Sequence, residues 1–214
     1  MSWMDSLGSA AKSGKNLDPE ERQKISKDLV TMSSFGAAAA TLVPLPGSDF
    51  FAVTAVQASM VVAVGRVYGR ELTMSQAKDI VFELAAVCGL GLLAQKGFAT
   101  ITKILLPGFG GILAAPYAFA VTYGMGNASM TYFANKDFTK ETIKRVYDEA
   151  VAEGKRIFSK DTFDQFRKKK GAEVEDFARQ QASGEPAPAP KKKKASGSAA
   201  AKKKKRPATR RPAQ

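Results

Sequence analysis

Any catalysis by this chain must do without imidazole, because its 214 residues include no histidine. That removes the commonest general base near neutral pH, the commonest zinc ligand, and both the Ser-His and Cys-His nucleophile pairs. The one cysteine, Cys88, rules out an internal disulfide and any multi-cysteine metal site. It stands in Ala85-Ala86-Val87-Cys88-Gly89-Leu90, where a small buried hydrophobe is expected rather than a reactive thiolate. The stretch Gly8-Ser9-Ala10-Ala11-Lys12-Ser13-Gly14-Lys15-Asn16 approaches a phosphate loop and fails it. One residue too many separates its glycines, Asn16 replaces the hydroxyl that must reach magnesium, and no strand precedes it. The remaining Asp, Glu, Lys and Tyr residues show no spacing that sets a pair in an apolar pocket. The sequence therefore predicts no enzyme and assigns no catalytic, cofactor-binding or metal-binding residue.

The chemistry that is available is phosphate binding. Residues 181–214 hold 11 of the 33 basic residues and one of the 20 acids, so they carry +10 of the formal +13. The charges fall in clusters: Lys191, Lys192, Lys193 and Lys194; then Lys202, Lys203, Lys204, Lys205 and Arg206; then Arg210 and Arg211. Gly184 to Pro190 alternates Pro with Ala and reads as an extended, stiff linker leading to them. No aromatic residue interleaves the charges, which excludes base stacking of the single-strand kind. The clusters suit nucleic-acid phosphates, bound with counterion release, or anionic lipid head groups at about 1 kcal/mol per residue. A merely solubilising tail is the third reading, since charge runs carry no sequence information.

Everything else in the chain reads as helix. Asp18-Pro19-Glu20-Glu21 opens a helix with a cap, a proline in the first helical position and acids at the positive dipole end. It runs into Ala37–Ala40 and stops before Val43-Pro44-Leu45-Pro46-Gly47-Ser48-Asp49. Asp49 then starts a helix that is apolar on nearly every side and ends at Tyr68, with Gly69 as its left-handed stop. Asp49 itself reads as a dipole partner. Gln57 reads as a satisfied buried amide or a tie between helices. Thr73-Met74-Ser75-Gln76 has capping-box spacing and begins a third helix, expected to run through Leu84 and Val87 to Leu93. Gly89 and Gly91 within it would let a neighbouring helix approach closely.

From Ile104 to Asn135 there are 32 consecutive uncharged residues. A membrane helix needs about 20 apolar residues, but Pro107, Gly110, Gly111, Pro116, Gly124 and Gly126 interrupt this run. A buried core helix, a membrane hairpin and a re-entrant element all fit it. Thr139 caps a charged helix to Phe158, with Ile143, Val146, Tyr147, Val151 and Ile157 on its apolar side. One or two further helices follow to Arg179. At the other end, Trp3, Met4 and Leu7 suit either one docked amphipathic turn or a mobile terminus. No basic region followed by an apolar core marks a secretory signal there.

The ordered set Pro44-x-Pro46-x-x-Asp49, Gln57, Met60, Tyr68-Gly69, Pro107-Gly108-x-Gly110, Thr122-x-Gly124 and Tyr132-Phe133 resembles the DUF697 family. This is a bacterial helical domain of unknown function, and the resemblance covers about residues 33–134. Members of that family often sit beside or behind Era-like GTPase domains, and related proteins are membrane proteins. The resemblance thus implies a GTPase supplied in trans. The tail lies outside the family pattern and loosely resembles linker-histone tails.

The expected molecule is all-α: a helical bundle built on two Pro/Gly-broken apolar hairpins, with a disordered basic C-terminal tail. Residues 1–17 form a flexible N-terminus, 18–183 the body and 184–214 the tail. Pro44, Pro46, Asp49, Gln57, Gly89, Gly91, Pro107, Gly110 and Gly124 are expected to serve helix packing or self-association, the latter predicting a homo-oligomer. The expected role is a membrane-associated adaptor or scaffold on the cytoplasmic side of the inner membrane. The alternative is a cytoplasmic or nucleoid protein whose tail binds DNA without sequence preference.

Overall fold

The computed structural model describes residues 3–11, 17–43, 49–89, 110–134 and 138–182. These form seven helices and no strand: α1 (Trp3–Ala10), α2 (Pro19–Ala40), α3 (Asp49–Val67), α4 (Met74–Val87), α5 (Gly110–Ala134), α6 (Lys140–Ile157) and α7 (Lys160–Ala182). Local chemistry sets most of the ends. Asp18 Oδ1 accepts from the Glu21 N–H at 2.7 Å, with Pro19 leading α2. Thr73 and Gln76 complete a reciprocal capping box at the start of α4, and Thr139 caps α6 by accepting from the Thr142 N–H at 3.1 Å. Gly69, at φ 73°, closes α3 while Arg70 N–H donates back to the Gly65 carbonyl at 2.8 Å.

Two sequence expectations change here. The third helix stops at Val87 rather than Leu93, because Gly89 takes φ 79° and its N–H turns back to the Ala86 carbonyl at 3.2 Å. Gly89 is thus a left-handed stop, and among the described residues nothing lies within 4 Å of a Cβ built on it. Ile157, expected on the apolar side of α6, is 43% exposed. Of the two readings of the N-terminus, the docked turn is the one found: α1 packs on α2, α3 and α7, with Leu7 and Ala11 in the core.

The two most apolar helices, α3 and α5, lie at the centre. From Ala52 to Val67 only Arg66 is exposed, and from Ala114 to Met130 only Tyr117 is. α5 packs most extensively against α6 and α2, then α3; α3 packs on α2, α4, α5 and α7. The second half of α2, Ser33 to Ala40, is buried throughout and forms the third wall. The charges of α2, α4, α6 and α7 lie on their outer faces. α6, for instance, turns Ile143, Tyr147, Ala150 and Gly154 inward. Of the three readings of the uncharged run, Ala114 to Met130 is a core helix of this body. Among the described residues, no helix is long and apolar enough to cross a membrane.

An aromatic cluster holds the α6–α7 turn onto the core. Phe35 meets Phe119 at 4.7 Å and Phe166 at 5.7 Å between ring centroids, and Phe158 meets Phe119 edge-on at 5.4 Å. Such pairs contribute about 0.5–1.5 kcal/mol each beyond the area they bury.

Candidate functional site

A buried polar pair ties two helices of the bundle together. Gln57 on α3 donates from Nε2 to Thr122 Oγ1 on α5 at 3.1 Å, with both residues buried. This is the satisfied amide the sequence suggested, and it joins α3 to α5 within one chain. Ser34 and Ser59 turn their hydroxyls back to the Val30 and Ala55 carbonyls of their own helices. That hides the hydroxyls and keeps the helix surfaces smooth.

Glycines bring the backbones of α5, α2 and α6 together. A Cβ added at Gly126 would stand 2.5 Å from both γ-carbons of Val30 on α2. One added at Gly124 would stand 2.5 Å from Val151 Cγ2 and 3.0 Å from the Tyr147 ring, both on α6. α6 reciprocates, since a Cβ at Gly154 would lie 2.9 Å from the Ala120 Cα. Two residues apart on α5, Gly124 and Gly126 face different neighbours, so a single helix is gripped on two sides. Sequence reading picked out Gly124 for packing but not Gly126 or Gly154. For Gly154, the signal was its place on the apolar side of α6, in register with Ile143, Tyr147 and Ala150.

The titratable groups near the core are pushed away from reactivity. Burial raises the Cys88 thiol to about 11, with Asp148 adding to the shift. Burial likewise raises Tyr147 and Tyr123, the latter further raised by Glu153, whose Oε1 accepts from the Tyr123 hydroxyl at 3.3 Å. A thiol held this far from its thiolate is a poor nucleophile and a poor metal ligand. Among the described residues, no group of three or more Cys, Asp or Glu side chains is placed to hold a metal ion. A shallow recess lined by Glu20, Gln23, Lys24, Lys27 and Asp28 opens on the outer face of α2, and its mixed charges select no ligand. Gly8 lies inside α1, so the failed phosphate-loop stretch begins as helix.

Other sequence-assigned residues fall elsewhere. Asp49 and Gly110 are the first residues of α3 and α5. Pro44, Pro46, Gly91 and Pro107 lie outside the described residues, as do all the basic tail residues from Lys191 to Arg211.

Comparison with known proteins gives one curated relative and one family. The chain is 26% identical over 174 residues to Magnetosome membrane protein 22 of Magnetospirillum gryphiswaldense, covering 77% of this chain and 86% of that protein. No solved structure matches. The family model for the domain of unknown function DUF697 matches residues 9–156, reaching beyond the 33–134 carried by the motifs to take in α2 and α6. With this match over most of its length, the chain belongs to the DUF697 family.

Proposed function

We propose that this chain is a non-enzymatic, membrane-associated helical adaptor. The body rests at a membrane surface, the polybasic tail grips anionic head groups, and a GTPase or a second copy is the partner. The observation that carries this reading is the similarity, across 77% of the chain, to a protein named as a membrane protein. The tail supports it: eleven cations with one acid form the kind of segment that an anionic leaflet attracts. The missing histidine and the protonated Cys88 support a non-catalytic role. The GTPase rests on the family resemblance alone.

Flotation of the full chain with vesicles tests the reading. Phosphatidylcholine vesicles should retain little protein, and vesicles with 30 mol% phosphatidylglycerol should retain most of it. Replacing Lys191–Lys194 with Ala should weaken that binding by about 1 kcal/mol per lysine. If the unaltered chain stays out of both vesicle fractions, the membrane reading fails. If it instead retains duplex DNA at low salt with a steep salt dependence, the nucleoid alternative takes its place.

A further inference from the structure

One strip of α5 is left open. By their spacing, Tyr117, Val121, Gly124 and Tyr132 share a side of that helix. α6 covers Gly124, where Val151 and Tyr147 approach, and α4 brings Glu83 near Tyr132. Toward the start of α5 the cover stops: Val121 and Val151 are half-buried, and Tyr117 is 50% exposed.

The cover stops where the chain leaves α4. Cys88, the C-cap of α4, is buried close to Tyr147 and Asp148 of α6, and Tyr147 lies level with Gly124. Residues 90–109, outside the described residues, join that point to Gly110 at the head of α5. From Gly124 back to Gly110 is about 21 Å of helix, and 20 residues of helix reach about 30 Å. The connection therefore has the length to run beside Val121 and Tyr117 and to turn into α5. It also has the pattern. Leu90, Leu93, Phe98, Ile101, Ile104 and Leu105 recur at helical spacing on one side, and Lys96 and Lys103 fall on the other, with Leu92 the exception among the large apolar residues.

We infer that residues 90–105 lie along α5 with this apolar side over Val151, Val121 and Tyr117, so that the chain's own connection fills the strip. Tethered at both ends of the strip, the segment meets it at an effective concentration that a second copy or a lipid surface would have to overcome. Its lysines then face water. The inference does not rest on the membrane reading, and it leaves the head groups to the tail. α5 turns back at Gly110, so the residue level with Tyr117 falls near Ile101, about as far before Pro107-Gly108 as Tyr117 lies after Gly110.

Cysteine pairs in the full chain test this, in a Cys88→Ala background that leaves no other thiol. Tyr117→Cys is combined in turn with Phe98→Cys, Ile101→Cys and Leu105→Cys, and as a control with Lys103→Cys on the other side of the segment. Circular dichroism confirms folding, and Tyr117 is exposed enough to be replaced without opening the core. Under copper-phenanthroline at micromolar protein, at least one apolar pair, Ile101→Cys foremost, should close an intramolecular disulfide about tenfold faster than the control, because the bridge needs Cα atoms within about 7 Å. Ile101 and Lys103 stand 16 and 14 residues from Tyr117, so tether length alone favours the control, and in urea the preference should vanish. If no apolar pair outruns the control, the segment does not lie on the strip and the inference is overturned. If Tyr117→Cys alone oxidises mainly to a linked dimer, a second copy is the occupant. If maleimide labels the lone Tyr117→Cys thiol as fast in buffer as in urea, and only vesicles with 30 mol% phosphatidylglycerol slow it, the occupant is lipid; either result overturns the inference.

Discussion

Replacing Gly154 by alanine isolates the closeness of α5 and α6. The added Cβ would meet the Ala120 Cα at 2.9 Å, about half an ångström inside the tightest comfortable contact. A backbone atom cannot rotate away, so the helices themselves must part along the most extensive interface in the bundle. Overpacking of this kind costs about 1–3 kcal/mol. Against it stands the gain from removing a helical glycine, about 1 kcal/mol. Gly171 on α7 measures that gain alone, because its added Cβ would meet only Arg167 Cβ, at an ordinary 3.8 Å. Gly171→Ala should therefore raise the melting temperature by about 2–4 °C, and Gly154→Ala should lower it by up to about 8 °C. Thermal unfolding of the full chain followed at 222 nm reads both changes. A Gly154→Ala protein that melts with or above Gly171→Ala would refute the claim that the α5–α6 crossing is held at glycine distance.

Two further predictions follow from the polar interior. Gln57→Leu should cost about 1–3 kcal/mol in urea unfolding because it strands the buried Thr122 hydroxyl, whereas Gln57→Leu with Thr122→Val should recover much of that loss. Additive losses would show that the bond does not couple α3 to α5. Cys88, whose thiol burial lifts from 9.0 to about 11, gives a pH effect of definite sign. The unfolded thiol ionises first, so the folded state holds more protons between pH 9 and 11 and its stability must fall as pH rises through that window. Denaturant midpoints of the native chain and Cys88→Ala should thus converge on raising the pH from 8 to 11. Rapid labelling of the native thiol at pH 8 would contradict its burial.

Much of the bundle is legible in the sequence because its helix ends are written in local chemistry. Asp18-Pro19, Thr73 with Gln76, Tyr68-Gly69 and Thr139 each act through their own neighbours, and each sits where that chemistry puts it. Gly89 was harder, because a glycine inside an apolar run looks the same whether it admits a neighbouring helix or ends its own. Only its φ of 79° decides between them. Gly126 depends on a partner 96 residues away, Val30, which no periodicity within α5 reveals; the spacing of α6 puts Gly154 on its inner face but does not say that Ala120, 34 residues away, comes so close. Ile157 continues the apolar spacing of α6 and is nonetheless exposed, since its helix ends before another element covers it.

The way α5 is held also bears on how a membrane would meet this protein. Lipid would have to replace the contacts now made by α2 and α6. Val30 and Val151 fit glycine notches that acyl chains would leave unevenly filled, and the Gln57–Thr122 bond would be opened or carried into hydrocarbon. α6 would also have to withdraw, and its outer face bears Lys144, Arg145, Asp148, Glu149, Glu153, Lys155 and Arg156. Charged residues cost about 2.5–3.5 kcal/mol each at the centre of a membrane helix, so α6 could not follow α5 into the bilayer. Insertion would thus exchange a filled core for an unfilled one and leave an amphipathic helix without its partner. Seating the intact bundle costs none of this, because the charged side chains of α6 already point outward. Binding by the folded body should therefore leave its 222 nm signal and its Cys88 protection unchanged on vesicles. Loss of that thiol protection on binding would mean that the bundle opens, and that the lipid contact is made by its interior instead.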